Sequence, residues 1–198
     1  MSRSISSAPR NLRLPNMIAR QQIPNLLTFA RVAAVPVCLA LMLLAPGARM
    51  ALLILFILAA LTDFLDGYLA RKWNTSSRLG ALLDPIADKL IVALMLLYLA
   101  VLNVAAFLPV AIILLRELYI AGLREFLAMQ GIALPVSGGG KLKTAVQMLA
   151  ITLLLAQDAL STRFLTLTSL GTPLLYLAAM LAFISAAQYT RASAKHLA

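Results

Sequence analysis

The chain has 198 residues, of which 62% are hydrophobic and only 12% are charged, and its formal net charge is +10. So large an apolar fraction exceeds what one soluble core of this length can bury, which excludes an ordinary soluble domain. The single cysteine excludes a disulfide framework within one chain.

Six apolar stretches are each long enough to cross a bilayer as a helix, which takes about 20 residues. They lie at residues 26–46, 50–70, 81–102, 104–123, 142–160 and 170–189. Residues 12–23 predict a short interfacial helix ahead of the first span. The sequence therefore predicts an all-α integral membrane protein with six transmembrane helices and a short N-terminal interfacial helix. We divide it into a basic cytoplasmic segment, a transmembrane domain and a cytoplasmic tail, at residues 1–22, 23–192 and 193–198.

Lysines and arginines lie mostly at one end of the predicted spans. Twelve of them precede the first span, join spans two and three or four and five, or follow the sixth, against two in the other connections, Arg49 and Arg163. The positive-inside rule then puts both termini in the cytoplasm. Orientation and attraction to anionic lipid headgroups explain the basic excess, so no nucleic-acid partner is expected.

The acidic residues concentrate in the stretch LTDFLDGYLARKWNTSSRLGALLDPIADK, residues 61–89. It contains four of the seven acids of the chain, Asp63, Asp66, Asp84 and Asp88. Asp63 and Asp66 are three residues apart, and Asp84 and Asp88 are four apart. Each of these two pairs therefore lies on one face of its helix. The short connection between spans two and three predicts antiparallel neighbours, with both pairs at the same depth. We therefore predict one carboxylate cluster near the cytoplasmic side, and Asp84 before Pro85 predicts the start of a helix.

Four carboxylates this close require compensation, because even one aspartate at a helix centre costs about 2.5 to 3.5 kcal/mol on insertion scales. Two divalent cations would balance four negative charges, and oxygen ligands without histidine or cysteine favour Mg²⁺ or Mn²⁺. Pairing with lysine and arginine is the alternative.

The residues around the aspartates favour a metal-bound pyrophosphate over simple ion pairing. Gly67, Ala70 and Gly80 would let a ligand approach the backbone closely. Arg71 and Ser77 can donate hydrogen bonds to phosphate oxygens.

The same stretch reads D-x-x-D-G-x-x-A-R-x8-G-x-x-x-D-x-x-x-D and resembles the signature of the CDP-alcohol phosphatidyltransferases, with all eight positions in register. Bacterial members of that family are similar in three further segments, IPNLLTFAR at 23–31, RELYIAGLREFLA at 116–128 and GKLKTAVQM at 140–148. The resemblance covers about residues 22–192. It implies the CDP-alcohol phosphotransferase fold, a homodimer, and a bacterial inner-membrane protein whose active site faces the cytoplasm.

Carried over by position, the resemblance implies two metal ions bridged by Asp63 and Asp84, with Asp66 completing one site and Asp88 the other. Asp88 is also implied as the general base. It would deprotonate an acceptor hydroxyl that attacks the β-phosphorus of CDP-diacylglycerol and releases CMP. The implied contacts to the CDP-diacylglycerol headgroup are Asn25, Thr28, Gly67, Arg71 and Ser77.

Four cations near the cytoplasmic half of the bundle bear on the acceptor. They are Arg116, Arg124, Lys141 and Lys143. A phosphorylated alcohol such as glycerol 3-phosphate would explain them. Positive-inside topology is the alternative for the last three, and Glu117 or Glu125 is a possible structural partner of Arg116. Arg31 in the first span either contacts substrate, supports the site or pairs with an acid.

Two other functions stay open from the sequence. The first is the same chemistry on another alcohol, such as inositol phosphate or serine. The second is a cation transporter that uses intramembrane aspartates, although such proteins often have duplicated halves and the sequence contains no internal repeat.

Overall fold

Six α-helices make up the described part of the chain. A computed structural model describes residues 14–45, 47–73, 78–132, 138–160 and 167–197, without the side chains of residues 14–25, 66, 68–73, 78–82, 84, 138–141, 158–160 and 195–197. The helices are α1 (Leu14–Leu44), α2 (Arg49–Trp73), α3 (Arg78–Val101), α4 (Phe107–Met129), α5 (Gly138–Leu160) and α6 (Leu167–Leu197). Since these residues contain no strand, the predicted all-α fold is confirmed.

Each predicted apolar stretch corresponds to one helix, but several helix ends differ from expectation. Helix α1 begins at Leu14, so the helix expected at 12–23 is continuous with the first span over its described residues. Helix α6 continues to Leu197 and includes most of the expected tail. The expectation that Asp84 and Pro85 begin a helix is wrong, because α3 already begins at Arg78 and Pro85 lies inside it. A proline at that position removes one backbone hydrogen-bond donor from the helix.

Buried apolar side chains concentrate in the half of the bundle that contains the α1–α2 and α3–α4 connections. The largest fully buried ones include Leu52, Phe56, Met95, Leu99, Ile113, Ile151, Leu154 and Leu175. Helices α5 and α6 form the most extensive pair, while α1 packs on α2 and α3, and α4 packs on α6. Helix α3 touches α4 and α5 at fewer positions, and a cavity lies between these three helices in the opposite half.

Large apolar side chains also cover the outside of the bundle. Leu44, Val101 and Phe107 are 84%, 78% and 78% exposed. Soluble monomers rarely expose extended apolar patches. Among the described residues, two helical segments, Leu26–Leu44 and Leu167–Ala194, are long and apolar enough to cross a membrane by length and composition. An apolar exterior around a packed interior is the distribution expected where lipid replaces water.

Candidate active site

Arg31 on α1 forms a salt bridge with Asp63, one of the four signature aspartates. Its Nη1 donates a hydrogen bond to Oδ1 of Asp63 on α2, at 2.8 Å. The Arg31 side chain is 1% exposed, whereas the Asp63 side chain is 44% exposed. Of the alternatives open for Arg31 from the sequence, pairing with an acid is the one observed. The buried guanidinium of Arg31 therefore orients the carboxylate of Asp63, which stays half exposed.

Asp88 on α3 approaches the same place from the facing helix. Asp88 and Arg31 line one small gap together with Ala59 and Ala60 of α2, which lie one turn before Asp63. Helices α1, α2 and α3 therefore bring Asp63 and Asp88 close to the same Arg31 side chain.

The full four-aspartate cluster stays a prediction. The side chains of Asp66 and Asp84 lie outside the described residues. Among the residues whose side chains are described, no group of three or more histidine, cysteine, aspartate or glutamate residues could hold a metal ion.

A cavity of about 320 Å³ lies beside Asp88, between α3, α4 and α5. Much of its wall is apolar, including Val92, Ile113 and Leu114. Its polar and charged lining residues are Asp88, Lys89, Glu117, Lys143, Thr144 and Gln147. The carboxylate of Asp88, the ammonium group of Lys143 and the carboxamide of Gln147 therefore line one cavity of the size of a small substrate.

Lys143 belongs to a hydrogen-bonded network that joins α4, α5 and α6. The residue is buried, and its ammonium group donates to Oε1 of Glu117. The same oxygen accepts a hydrogen bond from Nη1 of Arg116 at 3.0 Å. Nη2 of Arg116 donates to Oγ of Ser185 on α6 at 2.7 Å. Two cations and one carboxylate leave this network with one net positive charge.

The cations predicted to bind the acceptor take different positions. Lys143 lines the cavity, whereas the guanidinium of Arg116 bonds Glu117 and Ser185. The structural partner of Arg116 is thus Glu117, one of the two carboxylates foreseen for it. Arg124 is exposed on α4, and the side chain of Lys141 lies outside the described residues.

Two of the residues predicted to contact CDP-diacylglycerol are described. Thr28 is buried on α1, one turn before Arg31. Gly67 lies one turn after Asp63, and no described atom is within 4 Å of the position that a Cβ atom would occupy. That space is compatible with close approach of a ligand. Outside the described side chains and connections lie Asn25, Ala70, Arg71, Ser77 and Gly80.

Three polar residues at the cavity were not predicted from the sequence, namely Lys89, Thr144 and Gln147. Gln147 had a usable signal, because it is a polar residue one helical turn after Lys143 inside an apolar span. Its Oε1 atom is buried and has no hydrogen-bond partner among the described residues. Lys89 follows Asp88 directly in the sequence but is exposed.

Comparison with known proteins agrees with this geometry. Residues 21–186 match the family described as CDP-alcohol phosphatidyltransferase. The chain belongs to this family of membrane-associated transferases, which confirms the resemblance carried by the aspartate signature.

Similar proteins from three bacteria bear one name, CDP-diacylglycerol–glycerol-3-phosphate 3-phosphatidyltransferase. The Rickettsia bellii protein is 41% identical over 177 residues, which cover 89% of this chain and 97% of the relative. The Pectobacterium atrosepticum protein is 40% identical over 176 residues, 86% of this chain and 94% of the relative. The Pseudomonas fluorescens protein is 41% identical over 184 residues, 88% of this chain and 91% of the relative.

Proposed function

We propose that this chain transfers the phosphatidyl group of CDP-diacylglycerol to sn-glycerol 3-phosphate, giving phosphatidylglycerophosphate and CMP. Relatives about 40% identical over nearly their whole length carry the name of this reaction. The structural observation that carries the proposal is that Asp88 and Lys143 line one cavity. A base and a buried cation on the same small space suit an acceptor with both a hydroxyl and a phosphate.

The acceptor phosphate would bind at Lys143. The Arg116, Glu117 and Lys143 network keeps one net positive charge, so it attracts an anion although its own groups are paired. The surrounding apolar wall lowers the local dielectric and strengthens that attraction. Inositol phosphate would be attracted in the same way through its phosphate group, whereas serine contains no phosphate. Arg124 and Lys141 would add positive charge near the cytoplasmic mouth.

The transfer would be a direct displacement at phosphorus. The acceptor hydroxyl gives its proton to Asp88 as its oxygen forms a bond to the β-phosphorus of CDP-diacylglycerol. The bond from that phosphorus to the oxygen shared with the α-phosphorus breaks, and the electron pair leaves with CMP. No covalent intermediate with the chain is needed.

We also propose that two Mg²⁺ or Mn²⁺ ions are held by Asp63, Asp66, Asp84 and Asp88. The described residues fit this assignment, since Asp63 and Asp88 offer carboxylate oxygens from facing helices and Asp63 is 44% exposed beside Arg31. Bound divalent ions would neutralise charge on the pyrophosphate. Arg31 would orient the Asp63 carboxylate, and the space beside Gly67 would admit the donor headgroup.

The donor would lie along α1, α2 and the start of α3. Its proposed contacts are Asn25, Thr28, Gly67, Ala70, Arg71, Ser77 and Gly80. We place the six helices of residues 23–192 across the bacterial inner membrane, with the segments 1–22 and 193–198 and the active site on the cytoplasmic side. The apolar exterior and the distribution of basic residues support this orientation. A homodimer is proposed from the family resemblance.

An acceptor panel tests the proposed function. Purified protein in lipid–detergent micelles is treated with a chelator, resupplied with Mg²⁺ or Mn²⁺, and given CDP-diacylglycerol with glycerol 3-phosphate, inositol phosphate or serine. We expect CMP release that requires a metal ion and glycerol 3-phosphate. Preference for another acceptor would replace the proposed substrate. Cation flux in liposomes without CMP release would favour a transporter instead.

A further inference from the structure

Gln147 is a buried polar residue for which the proposed mechanism has no use so far. It lies on α5, lines the cavity that contains Asp88 and Lys143, and is only 3% exposed. Its Oε1 atom is buried without a hydrogen-bond partner among the described residues. Buried polar groups in folded proteins are nearly always paired, because an unpaired one loses its bonds to water without replacement. The carboxamide is therefore suited to a partner that a ligand supplies.

The position of Gln147 relative to Lys143 limits what that ligand can be. The two residues are four apart on α5, so they share one helix face with a rise of about 6 Å between them. This separation matches a short phosphate monoester whose phosphate lies at Lys143 and whose carbon chain extends along α5. Asp88 borders the same cavity from α3. A three-carbon acceptor would thus have its phosphate, middle carbon and terminal hydroxyl facing three different groups.

We propose that the Gln147 carboxamide hydrogen-bonds the secondary hydroxyl of the acceptor and thereby selects glycerol 3-phosphate over phosphate monoesters that lack this hydroxyl; this rests on the proposed function. A carboxamide and a hydroxyl each contain a donor and an acceptor, so they can pair in either direction. A site that hydrogen-bonds a substrate hydroxyl rejects the analogue without it, because its own polar group then stays unpaired. Gln147 would be a specificity-determining residue, distinct from the base and from the phosphate-binding cation.

The test compares two acceptors that differ by one hydroxyl group. CMP release by the purified full-length protein is measured against increasing glycerol 3-phosphate or 3-hydroxypropyl phosphate, which keeps the phosphate, the carbon chain and the primary hydroxyl. We expect kcat/KM of the natural protein to favour glycerol 3-phosphate by at least about tenfold, equivalent to about 1.4 kcal/mol. In Gln147→Met this ratio falls toward one through loss of activity on glycerol 3-phosphate, while the KM for CDP-diacylglycerol stays unchanged.

A matched control is available on the same helix. Gln157 lies more than two turns beyond Gln147, and Gln157→Met makes the same chemical change away from the cavity. We expect this variant to keep the acceptor ratio of the natural protein. Thermal unfolding of both variants separates a loss of folding from a loss of specificity.

Three outcomes would overturn the inference. Equal use of the two acceptors by the natural protein would do so without any variant, even where Gln147→Met does not fold. An equal loss on both acceptors in folded Gln147→Met would assign the side chain to packing or to the donor. Unchanged kcat/KM values with both acceptors in that variant would remove it from the acceptor site. These results leave the proposed function intact, whereas no CMP release by the natural protein with glycerol 3-phosphate would end both.

Discussion

Arg31 and Asp63 form a hydrogen-bonded ion pair between α1 and α2, with 2.8 Å between Nη1 and Oδ1. The cation is buried and the carboxylate is half exposed, so Arg31 lies behind Asp63 relative to the open side of the site. Carboxylates that bind metals are usually oriented by such a partner, whose loss typically costs 10- to 100-fold in metal affinity or activity. We therefore interpret Arg31 as a positioning residue for Asp63.

Replacement of Arg31 tests this interpretation. Arg31→Gln should lower CMP release by about 10- to 100-fold and raise the Mg²⁺ concentration for half-maximal activity, because Asp63 loses its fixed orientation. A metal titration of CMP release measures both effects. The control is Arg49→Gln, which removes an arginine at the first residue of α2, far along that helix from Asp63, and should leave the metal requirement unchanged. A lower unfolding temperature with an unaltered metal titration would instead make Arg31 purely structural.

Asp88 should be indispensable for transfer. Asp88→Asn keeps the size of the side chain but cannot accept the acceptor proton, so we expect CMP release to fall by about 10²- to 10⁴-fold or more. Asp63→Asn and Asp84→Asn should lose activity as well, through the metal ions. Asp158→Asn, near the end of α5, is the matched control and should retain activity. An active Asp88→Asn protein with normal folding would remove Asp88 from the role of base.

Lys143 should determine the affinity for the acceptor. Lys143→Met removes the buried ammonium group from the cavity while Glu117 stays bonded to Arg116. Because a charge-assisted contact to phosphate is lost, the KM for glycerol 3-phosphate should rise by at least about tenfold. The KM for CDP-diacylglycerol should not change. Steady-state kinetics with each substrate varied in turn makes the measurement, and an unaltered acceptor KM would exclude Lys143 from that site.

Glu117 should matter for stability because one of its oxygens pairs with both Arg116 and Lys143. Glu117→Gln leaves two neighbouring cations without their carboxylate, a change that costs up to about 3 kcal/mol when the pair is largely buried. Thermal unfolding should therefore show a clearly lower unfolding temperature. The double variant Glu117→Gln with Lys143→Met also removes one of the two unpaired cations. Its unfolding temperature should therefore lie between those of Glu117→Gln and the natural protein. A double variant less stable than Glu117→Gln would show that the Lys143 stem packs independently of its charge.

The sequence predicted those parts of the protein that depend on local pattern. The apolar stretches predicted the helices, and the short connection between α2 and α3 predicted that Asp63 and Asp88 lie on facing helices. The bond from Lys143 to Glu117 joins residues 26 apart on different helices, and no local rule selects Glu117 over Glu125. Arg31 was ambiguous for the same reason, since its partner lies 32 residues away. The prediction that a helix begins at Asp84 and Pro85 was wrong, because it used only the local preference of proline for a first turn. Helix α3 begins earlier, at Arg78, and includes Pro85.

Gly171 permits the close packing of α6 on α5. A Cβ atom added there would lie 2.8 Å from Cγ and Cδ2 of Leu154, whose side chain is fully buried in the core. Gly171→Ala should therefore destabilise the protein by about 1 to 3 kcal/mol, the usual range for overpacking. Gly122→Ala is the matched control, because no described atom lies within 4 Å of its added methyl group. Alanine should stabilise α4 at that position by about 0.5 to 1 kcal/mol. Thermal unfolding of the two variants measures the difference, and equal unfolding temperatures would show that α5 and α6 are not held in close contact at Gly171.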